Sequence, residues 1–146
     1  MQSYLQAIKS DVLIAPVAKT NTATASASLD TVTTRGKANY ARILINFASE
    51  INTNAVGPTI SLLHSDDTVV TNHATMVANR TAEDITNAKS LAYHIDLRGK
   101  KRYIRLTVTT ATATNDDITV GATYDLDLGQ NSASTSDMAD VAVIVS

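Results

Sequence analysis

Three stretches of this chain carry an apolar residue at every second position, and that period of two constrains the fold more than any other feature. They are Ala41, Ile43, Ile45 and Phe47; Leu91, Tyr93 and Ile95; and Ile104, Leu106 and Val108. The alternate positions are mostly polar: Tyr40, Arg42 and Asn46, then His94 and Asp96, then Tyr103 and Arg105, with Leu44 breaking the polar side of the first stretch. Successive side chains of a strand point to opposite faces, so each stretch reads as a strand with one face buried and one wet.

Further strands are expected on either side. Pro58 opens one over residues 59–64, with Ile60 and Leu62 on one face, and Ser65-Asp66-Asp67 forms the turn after it, because Asp side chains bond back to nearby backbone. One or two short strands follow in 69–77, and two more are expected at 117–124 and 139–145. Residues 98–101 read as the loop of a hairpin that sets Leu97 against Arg102, Ile95 against Ile104, Tyr93 against Leu106 and Leu91 against Val108. Its other face would set His94 against Arg105 and Asp96 against Tyr103. Pro16 and the Thr/Ala/Ser-rich segment after it disfavour helix and suggest extended chain. Helical spacing occurs only at the start, where Tyr4, Leu5 and Ile8 share a face, and Thr81-Ala82-Glu83-Asp84 has the form of a cap for one helical turn.

Seven or eight short strands without a long helix predict an all-β domain, a two-sheet β-sandwich spanning residues 1–146. Periodicity leaves Greek-key and jelly-roll orders both open. Residues 1–10 are expected to form an N-terminal arm or short helix, and residues 130–146, after a flexible stretch at 129–134, to supply a C-terminal strand.

With 146 residues the chain can bury about two-thirds of its unfolded surface without staples. There is no Cys, so disulfides and thiolate metal sites are excluded. Aromatic residues make up only 4%, so the core must be aliphatic. A net charge of -2 argues against a dedicated nucleic-acid binder, and no apolar run is long enough to span a bilayer as a helix. The first residues lack the apolar core of a secretory signal, so Asn79-Arg80-Thr81 reads as a polar triplet rather than a glycosylation acceptor.

Chemistry-bearing residues are scattered. His64, Asp66, Asp67 and His73 could hold a divalent ion, but they lack a compact ligand spacing and read as a polar turn between two histidines. Asn115-Asp116-Asp117 and Asp125-Leu126-Asp127 carry calcium-type oxygens without EF-hand spacing. Arg98, Lys100, Lys101, Arg102 and Arg105 surround Tyr103 in a run that could touch nucleic acid, although a solvated hairpin tip accounts for it. No nucleophile elbow or Gly-rich phosphate loop is present. The expectation is therefore a protein without catalytic residues, cofactor or metal, and not an enzyme.

Ile8-Lys9-Ser10-Asp11-Val12-Leu13-Ile14-Ala15-Pro16-Val17, Ser65-Asp66-Asp67-Thr68 and Arg102-Tyr103-Ile104-Arg105-Leu106-Thr107-Val108-Thr109 together resemble the capsid decoration, or cement, proteins of tailed bacteriophages. The likeness is one of style and order across most of the chain. It implies a jelly-roll-like fold, a homo-oligomer (a trimer above all) and a place on the outer face of an icosahedral head, bound to the major capsid protein after synthesis in the host cytoplasm. It implies no catalytic residues, membrane or nucleic acid. Tyr4, Leu5 and Ile8, with Val141, Val143 and Val145, are apolar ends that need covering, and they either close the sandwich of one monomer or serve as oligomer or capsid contacts. Competing readings are another phage part, such as a tail or head-completion protein, and a carbohydrate-binding sandwich. The second would ordinarily display an aromatic platform, for which 5 Tyr, 1 Phe and no Trp are a poor supply.

Overall fold

The computed structural model describes residues 7–20, 22–49, 55–81, 89–112, 118–128 and 143–145. Eleven strands follow in order: β1 (Ala7–Lys19), β2 (Thr24–Asp30), β3 (Val32–Thr33), β4 (Gly36–Lys37), β5 (Tyr40–Ser49), β6 (Ala55–Ser65), β7 (Ala74–Thr81), β8 (Lys89–Asp96), β9 (Tyr103–Thr112), β10 (Ile118–Asp127) and β11 (Val143–Val145). One sheet has the order β1-β10-β5-β8-β11, the other β2-β9-β6-β7, and β3 and β4 form a separate small ribbon. Without the ribbon and β11, four strands face four, and every connection but β6–β7 changes sheet. That is the strand order of a jelly roll, the arrangement that periodicity alone left open.

The inward faces are those the alternation predicts. Ala41, Ile43, Ile45, Phe47, Tyr93, Ile95, Ile104, Leu106 and Val108 are buried in one cluster, and Leu91 packs against it half-buried. Ile60 and Leu62 from β6, with Ile118, Val120 and Leu126 from β10, complete the core. Two buried threonines close its corners. The Thr110 hydroxyl donates to the carbonyl of Thr20 at 2.6 Å, and Thr31 donates through its hydroxyl to the Arg102 carbonyl at 2.6 Å. Each thereby satisfies a polar group that would otherwise be costly in an apolar interior.

The expected hairpin of residues 91–108 does not form. β8 pairs with β5 and β11, while β9 pairs with β2 and β6 in the opposite sheet. The apolar faces match because they meet the same core from opposite sides, not because the strands lie side by side. Leu97, fully buried, carries the chain across the end of the core, and its N–H donates to the Asn39 carbonyl at 2.8 Å. On the outer faces His94 therefore lies opposite Arg42, and Tyr103 opposite Asp30 and Ser65.

The start of the chain also differs from expectation. Residues 7–10, the end of the expected arm or helix, are strand paired to β10, with Ala7 opposite Asp127 and Ser10 opposite Asp125. Ile8 lies in this strand, whereas Tyr4 and Leu5 fall outside the described residues. Pro16 sits on the free-edge strand β1 where the register shifts, a position at which a missing N–H is tolerated. Pro58 lies within β6 at another shift, between Val56 and Thr59, rather than at the strand's opening. Thr81 ends β7; the rest of the expected helical cap, residues 82–84, is outside the described residues. The expected C-terminal strand over 139–145 is described only at 143–145, as β11, parallel to β8 with Val143 opposite Tyr93 and Val145 opposite Ile95. Val141 is outside the described residues.

Candidate interaction surface

Three connections gather at one end of the sandwich: residues 31–39, 66–73 and 97–102. Each follows a strand running towards that end. Here the sequence-distant motifs meet, and hydrogen bonds fix nearly all of them.

The 97–102 connection opens with a turn in which Lys100 N–H donates to the Leu97 carbonyl at 3.0 Å and Gly99 has φ +76°. A positive φ at the third position is the mark of a type II turn and the reason glycine stands there. Arg98 folds back on Asp96, its Nε donating at 2.9 Å, and lies 5.2 Å from the ring centre of Tyr40. Arg102 reaches across to Asp30 with Nε and Nη2 at 2.9 and 2.7 Å, and stacks 5.0 Å from the ring centre of Tyr103. Lys101 lies 3.6 Å from Asp66, and Lys37 donates to the Lys100 carbonyl. These arginines hold the carboxyls of Asp30 and Asp96 below the usual aspartate range, by hydrogen bonding first and charge after it. Arg105, on the outer face of β9, donates to the Ser26 hydroxyl at 2.7 Å. The run that reads in sequence as a basic stripe is thus largely paired within the fold. Such solvent-exposed pairs are worth only about 0–1 kcal/mol each, so their main effect is to fix the shape of this end.

The metal-like cluster resolves into turn chemistry. Asp67 accepts from Val69 N–H at 2.8 Å through Oδ1 and from Asn72 Nδ2 at 2.8 Å through Oδ2. The Asn72 bond is the main reason its carboxyl titrates below the usual range. His73 Nδ1 lies 2.9 Å from the Val69 carbonyl, and His64 Nδ1 accepts from Lys101 N–H at 3.3 Å. Burial, followed by the charges of Lys100 and Lys101, pushes the His64 imidazole below its usual value. Among the described residues no three His, Asp or Glu side chains converge on a point where an ion could sit. Asp125 and Asp127 lie on β10, while Asn115, Asp116 and Asp117 are outside the described residues.

A concave feature lies on the outer face of the larger sheet. It is an open groove of about 500 Å³ bordered by Val12, Pro16, Asn46, Ala48, Ser90 and Thr123. Gly121 forms its floor, where an added Cβ would come within 3.4 Å of the Pro16 side chain. Sequence reading missed this groove, because it depends on β1 and β10 being neighbours. Among the described residues that line it, none is titratable. Among the described residues the histidine contacts are to backbone, His73 to the Val69 carbonyl and His64 to the Lys101 N–H. Phe47, Tyr40, Tyr93 and Tyr124 are buried, so Tyr103 is the one half-exposed aromatic ring among the described residues, and Arg102 covers it.

The described parts of the two chain ends can be placed as well. Ala7 pairs with Asp127 and Val145 with Ile95, and Asp127 and Asp96 both pair with Tyr40. The first residues of β1 and the last of β11 therefore lie at the same end as the three charged connections.

No protein-family model matches the chain, and no curated protein matches it. Among solved structures it is similar to the PBSX exported protein XepA, with TM-score 0.56 and 13% identity over 88% of this chain and 40% of that one. The VP2 subviral particle protein of infectious bursal disease virus gives TM-score 0.48 and 13% identity over 85% of this chain and 34% of that one. The chain thus spans well under half the length of either protein. At such identity the likeness to XepA is one of fold.

Proposed function

We propose that this protein is a structural component of a virion: a decoration or cement protein that binds the outer face of a phage head. Its partners in this reading are the major capsid protein and further copies of itself, most simply as a trimer on a threefold site. The observation that carries the reading is the build of the charged end. A surface of locally paired charges lies beside the first residues of β1 and the last of β11, and among the described residues no cleft bears acid–base groups. Such a surface suits docking against a fixed partner. Summed over a lattice, many modest contacts of this kind give firm attachment through multivalency. The jelly-roll order, and the similarity in fold to an exported protein of PBSX, agree with a phage origin. Among the described residues no aromatic ring stands open as a platform, which disfavours the carbohydrate-binding alternative.

The test is addition of the purified chain to undecorated heads, followed by sedimentation and cryo-microscopy. Co-sedimentation with density at repeated lattice positions is the expected result. Density at one vertex or on the tail would make it a tail or head-completion part, and no binding would overturn the proposal. A variant lacking residues 1–6 keeps all the described residues of β1, Ala7–Lys19. It should lose much of the binding if Tyr4 and Leu5 are contacts alongside Ile8, Val141, Val143 and Val145.

A further inference from the structure

The two sheets leave four edges: β1 and β11 on one, β2 and β7 on the other. An open edge offers unpaired N–H and C=O groups to any passing strand, and natural sheets usually block it. Three of these edges carry a recognised block. β1 holds Pro16, Lys9 and Lys19 and has three register shifts; β7 contains Arg80 and pairs with β6 through two shifts; β11 is three residues long. Among the described residues β2 has no such block. Its sequence, Thr24-Ala25-Ser26-Ala27-Ser28-Leu29-Asp30, pairs with β9 without a register shift, contains no proline and is uncharged until Asp30, which Arg102 neutralises.

The phase of the ladder shows what this edge offers. Thr110 N–H donates to the Ala23 carbonyl and Thr31 N–H donates to the Arg102 carbonyl, so the odd-numbered residues of β2 bond to β9. In an antiparallel ladder the intervening residues then point their N–H and C=O groups the other way. These are Thr24, Ser26, Ser28 and Asp30, and the Ser26 and Ser28 side chains are exposed. We infer that β2 is the contact for a second copy of this chain, paired antiparallel to its own counterpart about a twofold axis at Ala27.

That register is self-complementary. Ser26 falls opposite Ser28 of the second copy, Ala25 opposite Leu29, and Thr24 opposite Asp30. Hydroxyls meet hydroxyls on the outer face, and apolar side chains continue the inner one. At the ends a hydroxyl donor faces a carboxylate. The free N–H and C=O groups of Ser26 and Ser28 are the ones this register pairs, which joins two four-stranded sheets into one of eight. A strand of unrelated sequence would gain the backbone bonds but not this matching of faces, so the edge favours a second copy. The inference stands apart from the virion reading. On a head it would supply the twofold link between neighbouring copies.

Light scattering on three forms of the full chain tests it. Ser26→Asp with Ser28→Asp sets carboxylates opposite carboxylates in the proposed register, which is destabilising. Ser26→Asp with Ser28→Lys sets opposite charges together, and in both forms the new carboxylate at 26 lies beside Arg105. Both positions are exposed, and unchanged far-ultraviolet circular dichroism will show that the fold is kept. At equal concentration the wild-type particle should have twice the mass of the doubly acidic form, and the mixed-charge form should recover the wild-type mass. Equal masses for the wild-type and acidic forms overturn the inference, as does failure of the mixed-charge form to recover. Binding of the acidic form to heads then reports on the virion reading separately.

Discussion

Ile104→Ala tests the sandwich at its centre. Ile104 has no exposed surface and sits on β9 between Leu29 of β2 and His64 of β6. Truncation removes three carbons, worth about 0.8 kcal/mol each in lost burial, or roughly 2.4 kcal/mol. The cavity left behind adds to this, because a strand held by ladders on both sides cannot collapse to fill it. The expected total is about 3–4 kcal/mol, within the usual span for such truncations. Arg105→Ala is the control one residue along, on the opposite face. It loses the bond to Ser26 and some surface packing, and should cost about 1 kcal/mol or less. In urea titrations the Ile104→Ala midpoint should fall well below that of Arg105→Ala with an unchanged slope. In heating experiments the gap corresponds to roughly 2–4 °C per kcal/mol for a chain of this size. Equal shifts for the two variants, or a larger one for Arg105→Ala, would refute the assignment of faces.

Gly99→Ala should cost about 1 kcal/mol through backbone strain at φ +76° alone, since nothing lies within 4 Å of the added carbon; urea midpoints will show it. Acid should destabilise the fold in two waves. His64 and His94 are both depressed by burial, so stability is full above their ordinary value of 6.5 and falls as pH drops from there through their folded values. Asp30 and Asp96 are depressed by their arginines, so their contribution is complete above the ordinary value of 3.8 and is lost as pH falls below it. Melting temperatures followed from pH 8 to 2 will resolve the two, and rising stability on acidification would contradict both. Exhaustive chelation should leave the melting temperature unchanged, because both Asp67 oxygens are committed within their own turn; a large drop with EDTA would show a metal.

The buried faces were legible because a strand inside one core has one strong signal, its period of two. Ile43, Ile45 and Phe47 could be assigned inward from sequence alone. Partnership was not legible to the same degree. Leu91, Tyr93 and Ile95 mirror Ile104, Leu106 and Val108 whether the two strands lie side by side or face each other through the core, since both arrangements turn the same residues inward. A six-residue connection permits either, and the deciding residue, Leu97, reads as one more apolar position until its burial at the end of the core is seen. The groove over Gly121 was hidden for a related reason: it belongs to a pairing of β1 with β10, strands more than ninety residues apart.

The charged end shows what the jelly-roll order does to a sequence motif. Residues 98–105 carry five of the chain's 12 Lys and Arg and, read linearly, form a cationic run. Because three connections return to one end, Asp30 and Asp66, from two distant parts of the chain, are each delivered beside one of those cations, while Asp96 pairs locally with Arg98 two residues on. The long-range field that would draw a polyanion is thereby largely cancelled at short range. What remains is a surface whose side chains are held by directional bonds: bidentate arginines, an aspartate bound within its turn and a buried threonine hydroxyl on the Arg102 carbonyl. Ordering these groups again on docking costs little entropy, because folding has already ordered them. In the reading proposed for this protein, a partner that matches this end would recognise it by shape and by fixed hydrogen-bonding groups rather than by net charge.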